Sequence, residues 1–373
     1  MNKLLYISDQ EEYSDNGTIS ALFDNYLKEY WDVDIVYITS YKHSYQRKGN
    51  HHIVPKKWQK TIMSYLATGN DLTLYDFVFV RNKKDVLKDV LKHKKEFNYK
   101  VGYRISYPKQ HHKLELIKSF SPMAMYQKMQ YKMKITERDK LVNLCDLFMP
   151  ASPQAHSVFY PNIKTESFPI YIGLDPEKIT EHIANTSDEV HFVNVGGIDA
   201  LREFDIILDA FEELEESNWH LHIIVSEKEY VSKLLKLYPK LKNKITIHNG
   251  LNTLCELRDE ISKYDVGVAM LPRNNFHDTV IANKVIHYAS RGLPSLMTST
   301  EKNHSIFSED EAFFSDFESS DIRHNLQAII KTPKEDLVKV GKRSQDKLLK
   351  LKRNYKKLAR DLAETMDNII PKP

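Results

Sequence analysis

The sequence predicts an α/β protein of two domains, each a doubly wound parallel sheet with helices on both faces, with ligand bound in a cleft between them. Three observations lead there. The chain has 373 residues, 41% of them apolar and 11% aromatic, which is enough to bury a large core and too much for one ordinary domain. Short β-rich runs alternate with longer helical patterns along its whole length. A polar stretch near the middle divides those strands into two similar sets.

In the first half the strands are KLLYIS, VDIVYIT, DFVFVR, YKVGYRIS and DLFMPAS; in the second they are HFVNVG, HLHIIVS, KITIHNG, VGVAML and PSLMTS. Helical patterns separate most of them, the requirement for parallel strands joined by crossovers. The boundary falls where FPIYIGLDPEKI runs into TEHIANTSDEV, placing a linker at 174–190. Open parallel sheets bind ligands at the carboxyl ends of their strands, so the cleft should lie there. Residues 333–367 read as one basic helix, with Leu348, Leu351, Tyr355, Leu358 and Leu362 forming its buried stripe.

Composition narrows the class. The opening MNKLLYIS lacks an extended apolar region and a cleavage site, and reads as a first strand. The longest apolar runs, such as VGVAMLP, fall far short of the roughly 20 residues that span a bilayer. Cys145 and Cys255 lie in helical patterns and read as buried; two cysteines are too few for a disulfide framework, which points to the cytoplasm. Net charge is +3, but residues 1–173 carry +8, 174–330 carry −12 and 331–373 carry +7. Basic ends around an acidic middle suggest an anionic partner, either an acidic acceptor or the inner face of a membrane. No nucleic-acid-reading module accompanies the basic tail.

Two stretches carry the chemistry. In HFVNVGGIDALREFDIILDAFEEL a strand ends at Gly196-Gly197, and a helix follows from about Glu203 with Phe204, Ile207, Leu208 and Phe211 along one face. Paired glycines let backbone N–H groups approach an anion, and Arg202 adds a cation at the helix start. In IANKVIHYASRGLPSLMT, Thr279, Asn283 and His287 recur at i, i+4 and i+8 as one polar helical stripe, with Lys284 beside it. Ile281, Val285, Tyr288 and Ala289 form the apolar side, Gly292 ends the helix, and Pro294 prevents its continuation.

Together with HNG at 248–250, KYDVGVAMLP at 263–272 and GLDPEKI at 173–179, these pieces resemble the donor domain of retaining GT-B glycosyltransferases, the large family marked by E-x7-E. VGGIDALREFDIILDAF follows that family's V-G-R-L-x-x-x-K-G-x-x-x-L-L-x-A-F pattern without a gap, and LVNLCDLFMPASPQAHSVF resembles the segment closing its acceptor domain. The resemblance implies an acceptor domain at 1–173, a donor domain at 191–332, and a tail at 333–373 returning toward the first domain. By position the family's diphosphate-binding basic pair becomes Gly197 and Arg202, and its two glutamates become Thr279 and His287. Both carboxylates are therefore replaced. Asn283 and Lys284 at the helix start stand in for the missing phosphate contact.

The resemblance also implies a reaction. A nucleotide sugar, UDP-linked in preference to GDP-linked, would lose its diphosphate to stabilisation by helix N-termini and Arg202, without metal or cofactor, as the sugar passes to a glycan or lipid-linked acceptor with retention. The expected setting is surface polysaccharide or glycoconjugate synthesis. In the first domain Asn16-Gly17-Thr18 matches the family's acceptor-side loop, and His111 and His112 follow a strand end where relatives carry a catalytic residue. Met125, Met129 and Met133 recur at helical spacing among lysines, a pattern suited either to a core or to a membrane surface. The alternative to an enzyme is a non-catalytic GT-B-like subunit that binds sugar or nucleotide. A nicotinamide-dependent dehydrogenase would need G-x-G-x-x-G after its first strand, which the sequence lacks.

Overall fold

The computed structural model describes all residues except 14–16, 70–71, 200, 227, 252, 352 and 371–373. The chain forms two compact units, one of Met1–Tyr171 with Tyr355–Pro373, the other of Ile172–Asn354.

The first unit is built on strands β1 (Lys3–Ile7), β2 (Asp32–Thr39), β3 (Gln46–Lys48), β4 (His51–Pro55), β5 (Phe77–Arg81), β6 (Lys100–Arg104) and β7 (Leu147–Met149). Their order is β3-β4-β2-β1-β5-β6-β7, parallel except for the edge hairpin that β3 makes with β4. The second unit holds β8 (Val190–Val195), β9 (Trp219–Ile224), β10 (Ile245–His248), β11 (Val266–Ala269), β12 (Ser295–Thr298) and β13 (Phe313–Ser315), ordered β10-β9-β8-β11-β12-β13 and all parallel. Leaving β3 aside, both sheets follow the doubly wound order in which the chain reverses direction beside its first strand. Those reversals, β1/β5 and β8/β11, are where ligands enter folds of this kind.

The near-continuous apolar runs of both sheets are explained by burial on two faces. One face of the second sheet puts Phe192, Leu221, Ile223, Val266 and Val268 against Phe204, Ile207, Leu208 and Phe211, the stripe expected from sequence. At its reversal point β8 and β11 pair only at Phe192–Val266 and Val193–Gly267 before they part. The buried Tyr288 hydroxyl fills the gap: it accepts from Val195 N at 3.0 Å and lies 3.0 Å from Val193 O and 3.2 Å from Val268 O. A Cβ on Gly267 would fall inside the Tyr288 ring.

Three expectations change. The single tail helix is two, Lys334–Lys350 and Tyr355–Ile369, the first in the second unit and the other in the first. Tyr355, Leu358, Leu362 and Met366 complete the core around Tyr6, Phe23 and Phe79, as the expected apolar stripe requires. Residues 174–190 are integral to the second unit: Leu174 and His182 are buried, and Arg291 donates to Lys178 O at 2.8 Å. Cys145 is buried as expected, whereas Cys255 is exposed on the helix Leu254–Ile261, whose inward residues are Arg258 and Ile261.

Replacing Tyr288 by Phe removes one atom that serves three backbone groups, and should cost about 1–3 kcal/mol of second-unit stability. Gly267→Ala should cost a comparable amount, about 1–3 kcal/mol, through overpacking. Urea denaturation followed by far-UV circular dichroism measures both, and an unchanged midpoint in Tyr288→Phe would show that water substitutes for the hydroxyl.

Candidate functional site

The site forms on the carboxyl edge of the second sheet. β8 ends at Val195 and turns through Gly196, whose φ of +107° is a conformation side chains rarely adopt. Asp199 shapes the next turn, accepting from Leu201 N at its carboxylate and from Arg202 N at its carbonyl, both at 3.0 Å. Glu203, at φ +46°, then leads into the helix Phe204–Glu212. This path brings Arg202 back over Gly197, so that a Cβ there would sit 3.0 Å from Nη1. Glycine at 197 therefore leaves room for a guanidinium to lie along the turn.

Lys284 approaches from the other side of the reversal point. Its ammonium donates to Asn194 Oδ1 at 2.7 Å and reaches Val268 O at 3.4 Å, bridging β8 and β11 just beyond Tyr288. Burial, with the Arg202 charge adding to it, brings its pKa down to about 7. His277 completes the group. Its Nδ1 donates to Pro272 O at 2.9 Å, leaving Nε2 as an acceptor. Burial, and then the charges of Arg202 and Lys284, lower its pKa against the opposing effect of that hydrogen bond. A small pocket adjoins, lined by residues that include Ala269, His277, Ala282, Val285 and Thr298. Two cations and a neutral imidazole acceptor around a glycine turn suit an anion that carries neighbouring hydroxyls.

The polar stripe expected at 279–287 is not one helix. A short helix, Asn275–Asp278, is capped by Asn274 Oδ1, and a separate helix, Asn283–Ala289, begins after Ala282. Thr279 closes the first, its hydroxyl donating to Asn275 O at 2.9 Å. The four-residue spacing runs across a break between two helices, so Thr279 and Asn283 share no helical face. Asn283 is exposed at the start of the second helix. His287 lies on that helix, half-buried and near Arg258; burial and the Arg258 charge push its pKa down to about 4. Among the described residues its ring has no hydrogen-bond partner. Gly292, with φ +67°, ends the segment as expected.

On the first unit, Asn16 lies outside the described residues. Gly17 and Thr18 begin the helical turn Thr18–Phe23 and meet Tyr355, whose hydroxyl lies 3.3 Å from Thr18 Oγ1. His111 packs against Phe159 and Tyr160, and its Nε2 lies 3.5 Å from Arg138 Nη2. Burial and that guanidinium push its pKa down to about 4, so it stays neutral with Nε2 turned to a donor inside the protein. His112 meets Tyr107 edge to face.

Sequence patterning missed Asn194, His277 and Arg258. A polar residue inside HFVNVG was the available signal for Asn194, since such a strand has few reasons to carry an amide. His277 sits in an aperiodic loop and had none.

No protein-family model and no curated protein matches the chain. Solved structures do. Sucrose-phosphate synthase from Thermosynechococcus elongatus aligns with a TM-score of 0.74 at 12% identity, covering 99% of each chain. Anabaena HepE in complex with UDP-glucose aligns at 0.68 and 12%, covering 99% of this chain and 100% of that one. An α,α-trehalose-6-phosphate synthase from Burkholderia multivorans aligns at 0.62 and 10%, covering 99% and 97%. At such identities the likeness establishes a shared fold, that of the GT-B glycosyltransferases.

An anion held by Lys284 would raise its pKa from about 7, so binding must take up protons above neutrality and weaken as pH rises. Titrating inorganic pyrophosphate calorimetrically, in buffers of different ionisation enthalpy, measures the uptake. Its absence at pH 8 would mean the anion does not touch Lys284.

Proposed function

We propose that the chain is a GT-B glycosyltransferase whose second unit holds a nucleotide sugar, UDP-linked in preference to GDP-linked, and whose first unit holds a glycan or lipid-linked acceptor. The observation that carries this reading is that Arg202, against Gly197, and Lys284, on Asn194 and Val268, lie close enough at the β8/β11 reversal point for their charges to act on one another. Two cations there would stabilise the negative charge that grows on a departing diphosphate. His277 Nε2 would accept from a sugar hydroxyl. Transfer with retention, without metal or cofactor, in surface polysaccharide or glycoconjugate synthesis, completes the reading. It is supported by the resemblance to the E-x7-E family and by the fold shared with HepE, whose structure holds UDP-glucose.

The chain departs from that family where the glutamates would stand. Thr279 is occupied with its own backbone, and His287 presents a neutral ring beside Arg258. Ribose binding would then rest on imidazole and guanidinium donors in place of a carboxylate acceptor. The same replacements favour the second reading, a binding subunit without turnover.

Screening nucleotide sugars for nucleotide release, together with calorimetry of UDP and GDP, separates the two. Arg202→Ala should weaken UDP binding about 10- to 100-fold, as expected for losing a hydrogen bond from a charged group. Binding without turnover of any donor would favour the subunit, and no nucleotide binding at all would remove the enzyme reading and leave only a sugar-binding subunit.

Membrane association belongs to the same proposal. On the helix Pro122–Val142 the residues Met123, Met125, Tyr126, Met129 and Met133 are all exposed, with Phe120 just before it at 87% exposure. Lys128, Lys132 and Lys134 lie among them. Apolar side chains interspersed with lysines suit the boundary of an anionic bilayer. The protein should co-sediment with phosphatidylserine vesicles and much less with phosphatidylcholine ones, and Met125→Glu with Met129→Glu should abolish the difference. Among the described residues no helix is long and apolar enough to cross a membrane.

A further inference from the structure

The reversal point of the first sheet carries an electrostatic arrangement that the donor site does not use. Arg81 ends β5, Arg104 ends β6, and the two are register partners across adjacent parallel strands. Tyr6 on β1 pairs with Phe79, two residues before Arg81, so the alternation of strand side chains puts Tyr6, Arg81 and Arg104 on one face at the carboxyl edge. Like charges opposite one another on neighbouring strands repel.

Arg104 is 3% exposed, and its Nη1 is buried without a hydrogen-bond partner. A guanidinium cannot shed its proton to escape such a site. The carboxylate at this edge, Asp9, is already engaged, holding Arg81 Nη1 at 2.6 Å and Asn82 Nδ2 at 2.9 Å. Among the described residues Arg81 Nε and the Tyr6 hydroxyl are likewise buried without a hydrogen bond of good geometry, the hydroxyl lying close enough to Arg104 to interact with it. Among the described residues three buried donor atoms, Arg104 Nη1, Arg81 Nε and the Tyr6 hydroxyl, thus lack a carboxylate to pair with, and two of them belong to cations. Tyr355, which meets Gly17 and Thr18 of the acceptor-side loop, lies near Arg104.

We infer that this edge binds an anionic oxo-group, a phosphate or a carboxylate, carried by the acceptor, with Arg104 as its main partner and Arg81 and Tyr6 supporting it. Both groups match the planar fork of a guanidinium and need no protein carboxylate in return. The inference rests on the reading that the first unit holds the acceptor, and it narrows that acceptor to an anionic one.

The test is calorimetry of the full chain with inorganic phosphate and with acetate, at constant ionic strength, in wild type, Arg104→Gln, Arg81→Gln and Arg202→Gln, with UDP titrated in parallel. At least one anion should bind wild type and Arg202→Gln in the millimolar range or tighter, and at least about tenfold more weakly to Arg104→Gln, a loss of the size expected for a charged pair. Arg81→Gln should weaken the same site, and it carries the test if Arg104→Gln does not fold. Whichever of phosphate or acetate binds identifies the group on the acceptor. Failure of both to bind wild type, or binding lost in Arg202→Gln and kept in Arg104→Gln, overturns the inference. UDP binding reports separately on the donor reading, and should be unchanged in Arg104→Gln.

Discussion

Where β8 and β11 part, their backbone groups lose the ladder that strands otherwise provide, and the buried hydroxyl of Tyr288 takes over. Much of the second unit's site depends on that bond. It ties the helix Asn283–Ala289 to both strands, requires glycine at 267, and sets Lys284 one turn earlier so that its ammonium spans Asn194 and Val268. The far end of the segment is held as firmly: Gln345 donates to Ala289 O at 2.9 Å, and a Cβ on Gly341 would overlap the Gly292 carbonyl. A lysine brought this deep by a rigid helix is partly stripped of water. Its charge is then poised to appear when an anion arrives.

The two sheets repeat one topology, and each gathers cations at its own reversal point. The way those cations are satisfied differs. In the second unit the lysine has an amide and a carbonyl to donate to, which holds it without cancelling its charge. In the first, Arg104 is enclosed with an unmet donor while Asp9 serves Arg81 and Asn82. A buried unpaired charge is expensive to keep. The charge asymmetry of the sequence, basic in the first unit and acidic over most of the second, is a global view of the same division.

Residue 287 sets the charge around Arg258. A carboxylate at 287 would stand beside Arg258 and pair with it; the imidazole there stays neutral and leaves that guanidinium's charge uncompensated by residue 287. The imidazole therefore leaves this part of the helix more positive than a glutamate at 287 would. The glycine turn after β8 is untouched by that change.

Strand positions, the glycine turn after β8, the stripe Phe204–Phe211 and the stop at Gly292 were legible because each is a local matter of period, side-chain size or a single dihedral angle. Arg202 and Lys284 were legible as candidates because they flank those local signals. The sequence alone could not show that Thr279 and Asn283 belong to different helices, because the four-residue spacing persists across a break made by loop hydrogen bonds to Asn274 and Asn275. Nor could it show the unmet donors of Arg81 and Arg104, which lie 23 positions apart and become register partners only when β5 and β6 pair. Local chemistry determined the elements. Only tertiary structure decided which charges share a surface, because that follows from strand order and burial, and neither is written in any one segment.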